Sequence, residues 1–347
     1  MTEKQSTLHR EILQYCTTNH IYGVLRVTIA GKIEYEQYVG FSNMTTHTPF
    51  SSDSMFTLYS LSKPFCAIGL LLLAEKGLVD LDAHPAKYVP EASGFNKQVT
   101  IRHLLHHTSG LPDFGQNQEF SKTYAPGYPY IIREHLKLLT QYPSYFEPGT
   151  DGKYENINFI LCALIIENVS GIDYATYMKN AVFTPMGMST AVVDNEHMEI
   201  RNRVTGYELI DGMPTEVVKS HSWMFGAGDI VGTVDDVYCL NKAIKNRLLL
   251  KKGTWQEILT PSPLNKMGMG CTITQWHGKE RITHNGGHIG FRTLHIQLPK
   301  DDFDLIFLSN SGYGNARKDL SEMVYTAFYG LDNAVSDIVE MDKGYAH

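Results

Sequence analysis

The sequence has no block of like charge. Thirty Lys and Arg are outnumbered by thirty-seven Asp and Glu, for a formal net charge of -7, and the densest basic clusters are pairs such as Lys251-Lys252. Nucleic-acid binding leaves a basic patch or stripe, and a polybasic anchor needs several adjacent cations. Neither nucleic acid nor a membrane anchor is therefore an expected partner. Long apolar runs are missing too: runs such as Ile68 to Ala74 fall far short of the roughly 20 residues that span a bilayer. Residues 1 to 20 are polar and mixed in charge, unlike a secretory signal. The expected location is cytoplasmic, unless an export segment precedes residue 1. Cysteine is scarce. Cys16, Cys66, Cys162, Cys239 and Cys271 are odd in number and widely spaced, with no CxxC, which favours isolated reduced thiols over disulfides or metal ligands. The glycines form no Gly-Lys-Ser/Thr and no strand-linked GxGxxG, so no phosphate-binding fingerprint is present.

What is present is an ordinary globular composition, 43% hydrophobic and 19% charged over 347 residues, enough for one large domain or two smaller ones. Residues 3 to 18 read as a helix with Leu8, Ile12 and Tyr15 on one face. Tyr22 to Ala30 and Lys32 to Gly40 read as a hairpin turning at Gly31. Ser60 to Lys76 reads as a buried helix, apolar nearly all round and ended by Gly77. From about 80 to 250, helical stretches alternate with Gly- and Pro-marked loops, with helices expected at Ile101 to His107 and Ile157 to Ser170. Strand signal returns at Arg281 to Thr283, Arg292 to Leu298 and Asp304 to Leu308, before a helix at Ala316 to Phe328. The two strand groups are expected to share one antiparallel sheet. The tail from Asp332 to His347 has no periodic pattern and is expected to be loosely held.

Ser60-Leu61-Ser62-Lys63 is the only Ser-x-x-Lys in the chain. A spacing of three puts both side chains on one helix face, a turn apart. Serine is a poor nucleophile until a base takes its proton, and lysine can be that base if burial lowers its pKa. The apolar helix that Lys63 opens offers little polar face to receive a charge. The plainer reading makes Ser60 an N-cap and Lys63 a solvated first-turn residue. His103, His106 and His107 have metal-like spacing on a probable helix, but no Cys or carboxylate ligand lies nearby at a known spacing, and no metal is expected.

Phe56 to Phe65 resembles the active-site helix start of the serine β-lactamase-related and penicillin-binding-protein family. That family includes class C β-lactamases, DD-carboxypeptidases, D-aminopeptidases and β-lactamase-like esterases. Further matches follow in order. They are Leu78-Val79-Asp80-Leu81-Asp82, Tyr88-Val89-Pro90-Glu91, Ile101 to Pro112 (similar to LLxHTSGL), Pro148-Gly149-Thr150 before Tyr154-Glu155-Asn156, Pro185-Met186-Gly187-Met188, Gly226-Ala227-Gly228 with Thr233 to Asp236, and His284-Asn285-Gly286-Gly287. The resemblance covers roughly residues 20 to 330, and the shared order carries it. Tyr313-Gly314-Asn315 and His288-Ile289-Gly290 also fit two of the short patterns. The Pro-Gly-Thr lead favours Tyr154, and the Gly pair favours His284.

The resemblance implies a β-lactamase/transpeptidase-like fold of the α+β type. It is an antiparallel sheet flanked by helices, with a mainly α-helical subdomain inserted between the second and third strands. It would form a single domain over 1–331, with sheet regions at about 1–59 and 250–331, an insert at about 78–250, and a tail at 332–347. It implies an acyl-enzyme on Ser60, with Lys63 and Tyr154 sharing the proton work; which of them takes the serine proton stays open. Asn156 would bond Lys63 or the substrate amide, and His284 would orient Tyr154 or meet a substrate carboxylate. The N–H groups of Ser60 and Gly287 would form an oxyanion hole beside Gly286, with His288 near enough to touch the site. No cofactor is implied, the partner is a small-molecule or peptide substrate, and oligomeric state is open. His284 stands where many β-lactamases carry Lys, and no class A-type glutamate loop is identifiable. The weight therefore falls on an esterase, amidase or D-peptidase rather than a β-lactamase, with an acyltransferase and a non-catalytic binding homologue as further alternatives. Trp223, Phe225 and a Tyr-rich stretch (Tyr124, Tyr128, Tyr130, Tyr142, Tyr145) are candidate cleft residues or simply packing groups.

Overall fold

The computed structural model describes residues 3–114, 131–195, 197–218 and 222–330. Helix α1 (Glu3–Asn19) buries Leu8, Ile12 and Cys16, a stripe of i, i+4 positions. Cys16 takes the place expected for Tyr15, whose hydroxyl instead donates to Asp319 at 2.5 Å. Strands β1 (Gly23–Ile29) and β2 (Lys32–Val39) pair antiparallel. Their two-residue loop sets Ala30 and Gly31 at φ 50° and 77°, the double positive φ of a tight hairpin turn.

Three long helices follow in the central part of the chain. They are α2 (Lys63–Glu75), α3 (Asn156–Ser170) and α4 (Val234–Asn246). Helix α3 is buried along eleven consecutive residues, Asn156 to Ile166, and ends at Gly171 in the left-handed conformation. Strands β3 (Thr272–Trp276), β4 (Lys279–His288), β5 (Phe291–Leu298) and β6 (Phe303–Ser309) then lead to α5 (Ala316–Tyr329). The six strands form one antiparallel sheet in the order β3-β4-β5-β6-β1-β2. Gly23 pairs with Ser309, so the first and last strands of the chain meet inside the sheet. This is the expected mixed architecture, a sheet flanked by helices with a mainly helical stretch between its second and third strands.

The sheet separates two apolar cores. On one face, Leu8 and Ile12 of α1 and Leu320, Val324 and Tyr325 of α5 pack with Trp276, Leu305 and Phe307. On the other, α2, α3 and α4 pack with Val24, Ile282, Ile306 and Leu308. The alternation of the strands explains the split, since successive side chains serve opposite faces.

Several elements differ from expectation. Strand β4 runs ten residues, not three, because sheet pairing carries it through His-Asn-Gly-Gly, residues with little strand preference of their own. Strand β3 was not anticipated. The central stretch also holds a three-stranded sheet of Phe56–Thr57, Val192–Val193 and Ile230–Gly232, and a hairpin of Tyr207–Ile210 with Met213–Glu216. Ser60 lies in a 3-10 turn, Tyr59–Ser62, and the α-helix begins at Lys63. The loosely held tail and Tyr124, Tyr128 and Tyr130 lie outside the described residues. Among the described residues, no single helix is long and apolar enough to cross a membrane.

Two glycines test the packing with opposite signs. A Cβ on Gly226 (φ +69°) would sit 2.3 Å from Ala163 Cβ and 2.9 Å from Phe159 O, both on α3. Gly226→Ala is expected to lower the unfolding free energy by roughly 1–3 kcal/mol, the usual cost of overpacking. Gly253, in the helix Lys252–Ile258, has nothing within 4 Å. Gly253→Ala is expected to raise stability by up to about 1 kcal/mol through helix propensity. Urea denaturation of both variants beside the parent measures each sign.

Candidate active site

The site forms where the 3-10 turn and the start of α2 meet the edge of β4. Leu58 N–H donates to Ile230 O at 2.9 Å, and Ile230 N–H donates to Ser62 Oγ at 3.0 Å. Tyr59 Oη donates to Ile289 O at 3.0 Å. The turn is therefore tied down before and after Ser60. Tyr59 itself has φ 47°, a left-handed conformation that costs a non-glycine residue energy and is held only when its surroundings fix it.

Lys63 is fully buried. Its Nζ lies 3.0 Å from Ser60 Oγ, 2.9 Å from Asn156 Oδ1 and 2.8 Å from Ala227 O. Desolvation brings its pKa down to about 7, against the opposing pull of Asp113, Cys66 and Asp229. Asn156 is the first residue of α3, and its N–H donates to Asp113 Oδ2 at 2.7 Å. Asp113 thus satisfies one of the free N–H groups at the start of α3 with a favourable negative charge. Ala227 O is presented by a tight turn in which Gly226 N–H donates to Asp229 Oδ2 at 2.8 Å. Burial raises the Asp229 carboxyl to about 7.

Tyr154 lies against the same amine, with Lys63 Nζ 4.7 Å from its ring centroid. Its ring stacks on His107 at 4.2 Å and 19° and is tilted against His284 at 6.2 Å. Nδ1 of His107 accepts from Glu155 N–H at 3.2 Å and from Asn158 Nδ2 at 3.1 Å, so its ring proton is on Nε2. Burial and the neighbouring Lys63 hold His107 neutral. His284 is fully buried, and its Nδ1–H donates to Asn285 O at 2.7 Å. That leaves Nε2 as an acceptor, and burial lowers the pKa to about 3. Glu155 pairs with Lys153, while burial and the Asp113 carboxylate push its own carboxyl well up.

Strand β4 passes the last pairing of β3, Thr272 with Thr283, so residues 284–288 have no β3 partner on that edge. Gly286 packs against the Tyr59–Ser62 turn, where a Cβ would lie 2.0 Å from Leu58 O and 3.1 Å from Leu61 N. Only glycine allows that approach. His288 sets its ring edge against Tyr59 and Trp223, at 5.5 and 5.4 Å.

The structure brings Ser60, Lys63, Tyr154, Asn156, His284 and Gly286 into one cluster, with Gly287 next along the strand. Tyr313 is elsewhere, its hydroxyl donating to His20 O at 2.6 Å, which supports Tyr154 as the motif tyrosine. The neighbouring histidines serve the fold: His103 accepts Thr100 N–H, and His106 contacts Met267 O. No metal-ligating cluster occurs among the described residues. Trp223 is buried and Phe225 packs on Tyr174 at 5.0 Å. Sequence reading had marked neither Asp113 nor Asp229, and had marked Ala227 only as part of the Gly226-Ala227-Gly228 motif, without a role. Asp113 follows directly on the Ile101-to-Pro112 motif, which is a signal of sorts, while Ala227 acts through its backbone carbonyl.

The geometry can be set beside known proteins. A family model described as Beta-lactamase matches residues 10–326. Penicillin-binding protein 4* of Bacillus subtilis is 31% identical over 83% of this chain and 68% of its own length. A D-aminopeptidase of Gluconobacter oxydans is 22% identical over 89% of this chain, which spans only 59% of that relative. The crystal structure of a D-stereospecific amidohydrolase from Streptomyces sp. superposes with a TM-score of 0.80 at 21% identity, covering 94% of this chain and 99% of that one; it speaks to the fold. Together the motif order, the serine–lysine geometry and these similarities place the chain in the beta-lactamase family of serine hydrolases.

Proposed function

We propose that this chain hydrolyses esters, amides or peptides carrying D-residues through an acyl-enzyme on Ser60, with Lys63 as the base in acylation. The observation that carries the reading is the set of partners around Lys63 Nζ. Asn156 Oδ1 and Ala227 O can only accept hydrogen bonds, whereas Ser60 Oγ can donate. A neutral amine has two N–H bonds and one lone pair. It spends the two donors on Asn156 and Ala227, and its lone pair is left for the Ser60 hydroxyl proton. A pKa near 7 populates that neutral form at physiological pH.

Ser60 Oγ then attacks the substrate carbonyl carbon, and its proton passes to Lys63. The N–H groups of Ser60 and Gly287 hold the oxyanion. As the tetrahedral intermediate collapses, Tyr154 delivers a proton to the leaving group and regains one from Lys63, which returns the amine to its neutral form. Water then attacks the acyl carbonyl and gives a proton to Lys63, and Lys63 passes it to Ser60 Oγ as the acid leaves. Neutral His284 offers no charge to a substrate carboxylate. This supports esters, amides and D-residue substrates that present no carboxylate there over β-lactams, in keeping with the names of the aminopeptidase and amidohydrolase relatives. The free, buried thiols fit a reducing compartment such as the cytoplasm.

Intact mass spectrometry with an activated ester tests the nucleophile. The parent is expected to gain one acyl group, and Ser60→Ala none; an equal adduct on Ser60→Ala would displace Ser60. A penicillin in a parallel incubation is expected to outlast a D-amino-acid amide, and its faster consumption would reverse the substrate preference.

The pH dependence of acylation tests the base. kcat/KM is expected to rise with pH to a plateau, with a midpoint near 7, as Lys63 loses its proton. Asp113, Cys66 and Asp229 face this amine and favour its charged form, while His107 and His284 beside it are neutral. Asp113→Asn and Asp229→Asn should therefore each move the midpoint to lower pH. If the limb vanishes in Asp229→Asn, it belongs to that carboxyl instead. Lys63→Ala should cost about 10²–10⁴-fold in acylation, the span of a general base.

A further inference from the structure

We infer that Arg317 strengthens the oxyanion hole from behind, by hydrogen bonding to the carbonyl of the same peptide group whose N–H is offered to substrate. The inference rests on the acyl-enzyme reading above, in which Gly287 N–H is an oxyanion donor. That N–H belongs to the Gly286–Gly287 peptide group, whose other end is the Gly286 carbonyl. Arg317 Nη1 donates to Gly286 O at 3.1 Å. Arg317 stands in the first turn of α5 and is only 8% exposed.

The glycine pair shows which way each group faces. A Cβ on Gly286 would strike Leu58 O and Leu61 N of the nucleophile turn. A Cβ on Gly287 would sit 3.0 Å from Arg292 Cδ and 3.2 Å from Arg317 Nη1. Alternation along β4 thus puts the nucleophile on one face and the guanidinium on the other. The second guanidinium has a different task, since Arg292 Nη1 donates to His288 O and Phe291 O at 2.8 and 2.9 Å and so clamps the β4–β5 turn.

The chemical effect follows from amide resonance. A cation bonded to the carbonyl oxygen draws electron density from the nitrogen, making the N–H at the far end a stronger donor. The effect grows as negative charge develops on the substrate oxygen, so it favours the transition state over the bound ester. Helix energetics do not account for the placement, because a cation in the first turn opposes the helix dipole. Arg317 is a positioning residue here: it touches the peptide group, and the peptide group touches substrate.

The test compares an ester with its thionoester, whose sulfur accepts hydrogen bonds poorly, in the parent, Arg317→Gln and Arg317→Lys. The parent should acylate faster with the oxygen substrate. Arg317→Gln should lose about 10-fold to 100-fold in kcat/KM on the ester, somewhat less than deleting an oxyanion donor outright, with KM little changed. The thionoester should lose far less, so the oxygen-to-sulfur preference should fall about tenfold. Arg317→Lys, which keeps the charge but shortens its reach, should fall between the two and carries the test alone if the glutamine variant does not fold. A purely structural role would lower both substrates together and leave the preference intact, which overturns the inference. A parent that shows no preference for oxygen would instead overturn the oxyanion role of Gly287.

Discussion

A lysine buried out of reach of bulk solvent is the constraint on which this structure turns. An unpaired ammonium in an apolar interior is very costly, and the protein has two ways to reduce that cost: supply acceptors, or release the proton. Lys63 meets both. Three oxygens surround Nζ, from Ser60, Asn156 and Ala227, and its pKa falls to about 7. The two acceptors, Asn156 Oδ1 and Ala227 O, come from parts of the sequence far from Lys63, so the site exists only once α2, α3 and the Gly226–Asp229 turn have packed. The apolar surroundings of α2 and α3 that stabilise the fold are also what make the amine basic in the useful range. Stability and reactivity share one cause here.

The carboxylates around the amine set how far this goes. Asp113 and Asp229 both favour charged Lys63, and burial opposes them. Asp113 does a second thing, tying the start of α3 through the Asn156 N–H. One side chain therefore helps place the acceptor for Lys63 and helps tune Lys63 itself. Asp229 fixes the turn that presents Ala227 O. Both carboxylates are built into the loops that hold the site, so geometry and electrostatics cannot be varied independently at either position.

Much of this was legible in the sequence where chemistry and spacing coincide in a few adjacent residues. Ser60 and Lys63 were readable because three-residue spacing puts them on one face, and because Lys63 opens a helix without a polar side. The hairpin at Gly31, the end of α3 at Gly171 and the late strands followed from local turn and strand preferences. Contributions made by backbone or by long-range pairing were not legible. Ala227 acts through a carbonyl that any residue would carry. The full length of β4 depends on its partner β5, since His-Asn-Gly-Gly does not favour a strand by itself. The 3-10 turn at Ser60 is imposed by anchors at Ile230 and Ile289, distant in sequence from the residues they hold.

The same distinction explains the two glycines of β4. A sequence shows only that they lack side chains, and that reads equally as a turn, a bulge or a close approach. In the fold they lack side chains for different reasons on opposite faces. Gly286 lets the strand edge press against the backbone of the Tyr59–Ser62 turn, and Gly287 leaves room for two guanidinium side chains behind. A side chain at the first position would push the strand away from Ser60; at the second it would displace the cation from the sheet. The strand edge beside Ser60 is thus shaped by what packs on its two faces, and the Gly286–Gly287 peptide group takes its position from both.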